Sequence, residues 1–104
     1  MALTKDFKST IMARARKDKK FCEAMLAEAI EEMLSGDVDA GKAILRDYIN
    51  ATITFDVLSK FMDKNPKSIM RMLSTTGNPT SKSIFMIFHV IQKLKKVHFE
   101  ISVK

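Results

Sequence analysis

Apolar residues recur every three or four positions over most of the chain, which is the spacing of amphipathic helices. In the first half this pattern predicts three helices, over residues 4–17, 21–34 and 37–49. Thr4 and Asp37, at the starts of the first and third of these segments, are residue types that cap helix N-termini. The first half is therefore predicted to be helical throughout.

Two glycines mark special backbone positions in this half. Ser35 and Gly36 follow the helix of residues 21–34, and Gly36 suits the left-handed position that commonly ends a helix. Gly41 lies inside the next helix, where glycine costs about 1 kcal/mol relative to alanine. We therefore expect Gly41 to mark a close contact between helices.

The second half predicts three further helices separated by turn signals. The first covers residues 54–62, with a threonine as its cap. The second starts at Asn65-Pro66, a strong helix start, and continues to about residue 73. Residues 75–79 contain Gly, Asn and Pro and predict a loop before the last helix, which begins at Thr80 or Ser81 and continues to residue 94.

The pattern changes to period two over residues 97–104, where apolar and polar residues alternate. This alternation predicts a β-strand with one apolar face. A single strand leaves its backbone groups unpaired, so it needs a partner strand from a second copy or from another protein. The alternative is a frayed segment that packs loosely on the core.

Charge is distributed unevenly along the chain. Residues 1–20 carry seven Lys and Arg against two Asp, residues 21–50 two against seven acidic residues, and residues 51–104 nine against three. The net charge is +6 and the pI is about 9.6. Basic ends favour a polyanionic partner, although a solvated basic surface explains them equally well. The acidic middle segment is a candidate surface for a basic partner protein.

The sequence contains no pattern typical of an enzyme or a metal site. Cys22 is the only cysteine and lies on an apolar helix face, which predicts a buried thiol in a reducing compartment. His89 and His98 are isolated, with no nucleophile or second ligand in pattern. We therefore expect no catalytic activity, cofactor or metal. The absence of an apolar signal region, and of an apolar run longer than residues 84–88, favours a cytoplasmic protein.

The short helix after Asn65 has two chemically distinct faces. At about 100° per residue, Lys67, Ser68 and Arg71 share a cationic, hydrogen-bonding face. The opposite face is apolar and consists of Ile69, Met72 and Leu73. With the helix of residues 54–62 just upstream, this arrangement matches a helix-turn-helix, whose second helix enters the DNA major groove. An ordinary amphipathic helix with a solvated face is the alternative.

A set of residues between positions 54 and 91 matches a known pattern without a gap. Its members are Thr54, Leu58, Ser59, Ile69, Arg71, Met72, Asn78, Pro79, Thr80, Ile84, Ile87 and Ile91. With these residues the chain resembles the XRE or Cro/repressor-type helix-turn-helix family. Residues 66–73 and 77–80, together with the upstream segment 45–52, more closely resemble HigA-type addiction-module antidote proteins (antitoxins).

The resemblance implies which residues contact DNA. Asn65, Lys67, Ser68 and Arg71 match recognition-helix positions that contact DNA in the family, and Thr75 is a weaker loop contact. Three positions depart from the family pattern. Asp63 stands where glycine is usual in the turn, Lys64 where an apolar residue is usual, and Phe55 where many members place glutamine against a phosphate. We therefore expect a differently built turn and carry no phosphate contact over to Phe55.

These observations predict an all-α protein, a single domain with a bundle of about six helices that includes a helix-turn-helix. Residues 1–52 form an N-terminal helical part with a dimer or partner surface, and residues 53–96 form the helix-turn-helix DNA-binding part. Residues 97–104 form the short C-terminal β-strand, which can pair between chains.

The function that the resemblance implies is sequence-specific transcriptional regulation. It predicts the antitoxin of a type II toxin–antitoxin pair, which represses its own operon and neutralises a RelE/ParE-like toxin by binding it. The expected partners are a palindromic double-stranded DNA operator, a second copy in a homodimer, and the toxin, which is generally basic in that family. The alternatives are a stand-alone repressor without a toxin and an interaction or dimerisation module that has lost DNA binding.

Overall fold

The computed structural model describes residues 5–104, with the side chains of residues 9–15 and 17–104. Within this range the chain forms six helices. They are α1 (Lys5–Lys17), α2 (Lys19–Leu34), α3 (Val38–Ala51), α4 (Thr54–Met62), α5 (Pro66–Met72) and α6 (Ser81–Lys95). This confirms the predicted all-α class with about six helices. The predicted N-cap Thr4 lies outside the described residues.

Local hydrogen bonds begin and end helices at predicted residues. The Asp37 carboxylate accepts a hydrogen bond from the Ala40 N–H at 3.0 Å and caps α3. The Thr80 hydroxyl accepts from the Ser83 N–H at 3.1 Å and caps α6. Gly36 follows α2 with a φ of 98°, a backbone angle that glycine adopts without a steric penalty.

One apolar core joins the helices, and α3 lies at its centre. This helix packs against α1, α2 and α4, and its Leu45 and Ile49 are fully buried. Ile69 of α5 and Ile91 of α6 are buried in the same cluster. Because the core takes residues from both halves of the chain, it determines where α5 lies relative to α3.

Gly41 lies where α2 and α3 pack closely together. A Cβ atom at this position would overlap the Met33 Cγ and lie 2.7 Å from the Ala29 carbonyl oxygen. The obstacle includes backbone, which cannot move aside as a flexible side chain can. The close helix contact predicted from this glycine is confirmed.

The predicted β-strand over residues 97–104 is wrong, because this segment has no regular secondary structure. It folds back on α6 instead. The N–H groups of Val97 and Phe99 donate to the backbone oxygen and the side-chain Oε1 of Gln92, at 3.1 and 2.9 Å. The Phe99 ring packs edge-on against Phe88, with 5.6 Å between ring centroids. Contacts to α6 thus take the place of a partner strand for the first residues of the segment.

Candidate nucleic-acid interface

A turn of three residues joins α4 to α5. Asp63 ends α4 in the left-handed conformation, with φ 53° and ψ 44°. The Lys64 N–H then donates to the Ser59 carbonyl oxygen at 3.3 Å. Asn65 caps α5 as predicted, because its Oδ1 accepts the Lys67 N–H at 2.8 Å. These bonds hold the end of α4 and the start of α5 in a defined geometry.

One face of α5 is exposed to solvent and the other is buried. Ile69, together with Leu73 just after the helix, is fully buried and anchors α5 to the core. All five residues predicted to contact DNA are exposed: Asn65, Lys67, Ser68, Arg71 and Thr75. Within the described part of the chain, neither Lys67 nor Arg71 forms an ion pair. Both cations are therefore available to an anionic ligand.

Three apolar side chains of α4 and α5 differ in their exposure. The Phe55 side chain is buried in the core, so it is not available to a phosphate. Met70 is exposed on α5 beside the cationic face, whereas Met72 is half-buried against the core. The exposed face of α5 is therefore mixed, with one apolar side chain among the polar and cationic ones.

Two cationic side chains of α3 hold the C-terminal end of α5 and the loop that follows. Lys42 Nζ donates to the carbonyl oxygens of Ser74 at 3.0 Å and Gly77 at 2.7 Å. Arg46 Nη1 donates to the carbonyl oxygen of Leu73 at 2.8 Å. Carbonyl groups at a helix C-terminus carry partial negative charge and favour such cations. The central helix of the core thus fixes where α5 ends.

Lys42 is only 3% exposed, which is rare for lysine unless its charge is compensated. Besides the two carbonyl groups, its Nζ lies 3.1 Å from a carboxylate oxygen of Asp39, whose side chain is exposed. The loop around this ammonium group is tight. A Cβ at Gly77 would overlap the Arg71 carbonyl oxygen and lie 2.7 Å from that of Met72. Glycine is therefore required where the loop turns back over α5.

Neither Lys42 nor Arg46 was among the residues predicted from the sequence. They are the only two cations among residues 21–50, and this isolation in an acidic segment is the one signal that could have marked them. Both side chains are engaged with backbone carbonyl groups, so we assign them a positioning role for α5.

Acidic side chains form a separate surface on α2. Glu23, Glu28 and Glu31 are exposed there, and α2 packs against α1 and α3, whereas α5 packs against α4. From Glu23 onward, α2 therefore presents an acidic surface on a different helix from the cationic face of α5. Each surface can attract a partner of opposite charge without competing directly with the other.

Two titratable side chains of the described core, Cys22 and Tyr48, are buried. Burial raises the pKa of the Cys22 thiol, which donates to the Ala15 carbonyl oxygen, and it raises the pKa of Tyr48 to about 12. Both groups are therefore protonated at neutral pH. No group of three or more His, Cys, Asp or Glu in the described residues could hold a metal ion. In the same part of the chain, no helix has the length and apolarity needed to cross a membrane.

The chain matches no family model, no curated protein and no solved structure.

Proposed function

We propose that this chain is a sequence-specific DNA-binding transcriptional regulator, in which α4 and α5 act as a helix-turn-helix and α5 enters the major groove. One observation carries the proposal. Lys67, Ser68 and Arg71 form an exposed face without a carboxylate partner, while Ile69 and Leu73 anchor the helix behind them. A helix held in this way presents the same side chains to the same base pairs at each encounter.

The exposed residues have distinct roles in this proposal. Arg71 donates two parallel hydrogen bonds to the O6 and N7 atoms of a guanine. Lys67 reaches a base edge or a phosphate, and the hydroxyl groups of Ser68 and Thr75 donate to phosphate oxygens or base edges. The Oδ1 of Asn65 already accepts the capping hydrogen bond, so its amide NH₂ group donates to a phosphate.

The geometry of the turn supports the proposal despite its departures from the family pattern. Asp63 stands where the family usually has glycine, and its φ of 53° lies in the region that glycine adopts freely. Aspartate is among the side chains that tolerate this left-handed region. Lys64, at a position that is usually apolar, is exposed and disturbs no apolar contact. A helix-turn-helix can therefore accommodate both departures.

Replacing Arg71 with alanine is expected to weaken binding to the promoter of this gene by about 1–3 kcal/mol, or about 5- to 150-fold in Kd. The preference at one base position should relax, because a guanine loses its bidentate donor. Fluorescence anisotropy with promoter and scrambled fragments, at two salt concentrations, measures both effects. Arg71 is exposed, so the variant should fold normally.

Lys20→Ala is the matched control for Arg71→Ala. Lys20 is an exposed cation on α2, and its loss changes the net charge by the same amount. We expect it to leave promoter affinity nearly unchanged. If both variants bind alike, or if the wild type binds promoter and scrambled DNA equally, the cationic face is a non-specific polyanion surface and the proposal fails.

We further propose that this regulator is the antitoxin of a toxin–antitoxin pair, a homodimer that binds a palindromic operator and neutralises a basic RelE/ParE-like toxin by contact. The resemblance of residues 66–73 and 77–80 to HigA-type antitoxins supports this assignment. The exposed glutamates of α2 support a basic partner, because complementary charge speeds association and rejects wrong partners. Neutralisation is by binding, with no chemical step.

Replacing Glu28 and Glu31 with lysine is expected to weaken toxin binding by about tenfold or more, which corresponds to about 1.4 kcal/mol. Promoter binding should be retained, whereas Arg71→Ala should retain toxin binding and lose promoter affinity. Growth of cells that express the toxin encoded beside this gene, and the affinity of the purified pair, measure the effect. If the product of the neighbouring gene is not toxic, or if its affinity for this protein is unchanged after the charge reversal, a stand-alone repressor is favoured.

A further inference from the structure

The segment after α6 contacts α6 and, on its other side, lines a crevice with α2. Val97 and Phe99 are half-buried there, and Ala27 is their neighbour on α2. Phe99 is held twice, by the hydrogen bond from its N–H to Gln92 Oε1 and by the contact of its ring with Phe88. The segment is therefore firmly seated at this end of the crevice.

Beyond Phe88 the same side of α2 and α6 continues as an open apolar groove of about 230 Å³. Leu34 and Phe85 are 73% and 69% exposed in it, although both are large apolar residues. The described side chains that line the groove include no charged residue. Its apolar walls consist of Ile30, Met33, Leu34, Val38, Ile84 and Phe85. Exposed apolar residues grouped in this way indicate a surface that another apolar group covers.

The segment after α6 is directed toward this groove. It runs antiparallel to α6, since Val97 contacts Gln92 and Phe99 contacts Phe88, one turn further back. An extended chain advances about 3.3 Å per residue and a helix about 1.5 Å. Phe85 lies one helical turn beyond Phe88 in the direction in which the segment runs. Ile101 is therefore within reach of Phe85.

The side-chain pattern of the segment matches the direction of the groove. Val97 and Phe99 face the protein, whereas His98 is exposed. In an extended chain alternate residues face the same way, so an extended conformation beyond Phe99 would turn Ile101 and Val103 to the same side as Phe99. In the structure both are nonetheless exposed, by 81% and 92%. An apolar groove and two apolar side chains of the adjoining segment are thus exposed to solvent at the same time.

We propose that residues 100–104 form a strap that closes over this groove and buries Ile101 and Val103 on its apolar floor. The occupant is the chain's own segment, because Phe99 tethers it at the edge of the groove and so gives it a high effective concentration there. Closure requires rotation of the backbone beyond Phe99 and no partner strand. The closure of this strap does not depend on the proposed DNA binding, because none of its residues belongs to α4 or α5.

Cysteine pairs test closure in the full-length chain carrying Cys22→Ala, which removes the native thiol. Under mild oxidation, Phe85→Cys with Ile101→Cys is expected to form an intramolecular disulfide at least about tenfold faster than Phe85→Cys with Ser102→Cys. Ser102 has the opposite side-chain direction and is the matched control. All three tested positions are exposed, so the variants should fold. Non-reducing electrophoresis and mass spectrometry measure the rates.

Equal rates for the two pairs would overturn the proposal, because the segment would then move freely in solvent. Disulfide-linked dimers in place of monomers would also overturn it, because the groove would then hold the segment of a second copy. As an independent measurement, Val103→Ser is expected to lower the Tm by about 4–8 °C, whereas Ser102→Ala should not. An unchanged Tm for Val103→Ser would contradict closure.

Discussion

Replacing Lys42 with methionine is expected to lower the free energy of unfolding by about 1–3 kcal/mol, because it removes the donor to two partly buried carbonyl groups. Methionine keeps the length of the side chain and loses its charge. The carbonyl groups of Ser74 and Gly77 then lack their partner, and the end of α5 loosens. If α5 reads DNA, promoter affinity falls as well, by about tenfold. Urea unfolding and fluorescence anisotropy measure the two effects separately.

Lys20→Met is the control for Lys42→Met, because it makes the same chemical change at an exposed position of α2. A change within about 0.5 kcal/mol is expected there. If Lys42→Met unfolds at the same urea concentration as the wild type, its hydrogen bonds contribute nothing to stability. If it loses stability but binds promoter DNA normally, Lys42 stabilises the fold without positioning α5 for DNA.

Replacing Gly41 with leucine is expected to lower the free energy of unfolding by about 2–4 kcal/mol. Overpacking usually costs about 1–3 kcal/mol, and the cost is higher here because the Ala29 carbonyl oxygen is backbone that cannot repack. α2 and α3 must therefore separate. The better helix propensity of leucine offsets only about 1 kcal/mol of this cost. Thermal and urea unfolding measure the change.

Ala13→Leu is the control for Gly41→Leu, because it introduces the same side chain at an exposed position of α1. We expect its stability to remain within about 0.5 kcal/mol of the wild type. Gly41→Ala should fall between the two, since a single Cβ already meets the Met33 side chain. A Gly41→Leu variant as stable as the wild type would show that the contact between α2 and α3 is not tight.

Three helix starts and the end of α2 were predictable because their causes are local. Asp37, Asn65 and Thr80 each cap a helix through a hydrogen bond to a backbone N–H two or three residues further on. Gly36 ends α2 through its own backbone angle. Such interactions depend on a few adjacent residues, so the amino-acid order alone contains them.

The strand prediction failed because alternation reports only which side chains are apolar. A strand also needs a partner backbone, and the described chain provides none beside residues 97–104. Phe88 and Gln92 of α6 provide an aromatic contact and an amide acceptor for Phe99 instead. The alternation of the sequence corresponds to a difference in burial: Val97 and Phe99 are half-buried, whereas His98 between them is exposed.

The sequence by itself determined the six helices, the caps at Asp37, Asn65 and Thr80, the close contact at Gly41 and the amphipathic pattern that leaves Lys67 and Arg71 exposed on α5. Only the tertiary structure decided that Lys42 is buried and holds the end of α5, 32 and 35 residues away along the chain. A lysine of one helix has the same local signals whether it faces solvent or a distant carbonyl group. The difference arises from how the apolar core packs α3 against the rest of the chain, and packing depends on all helices together.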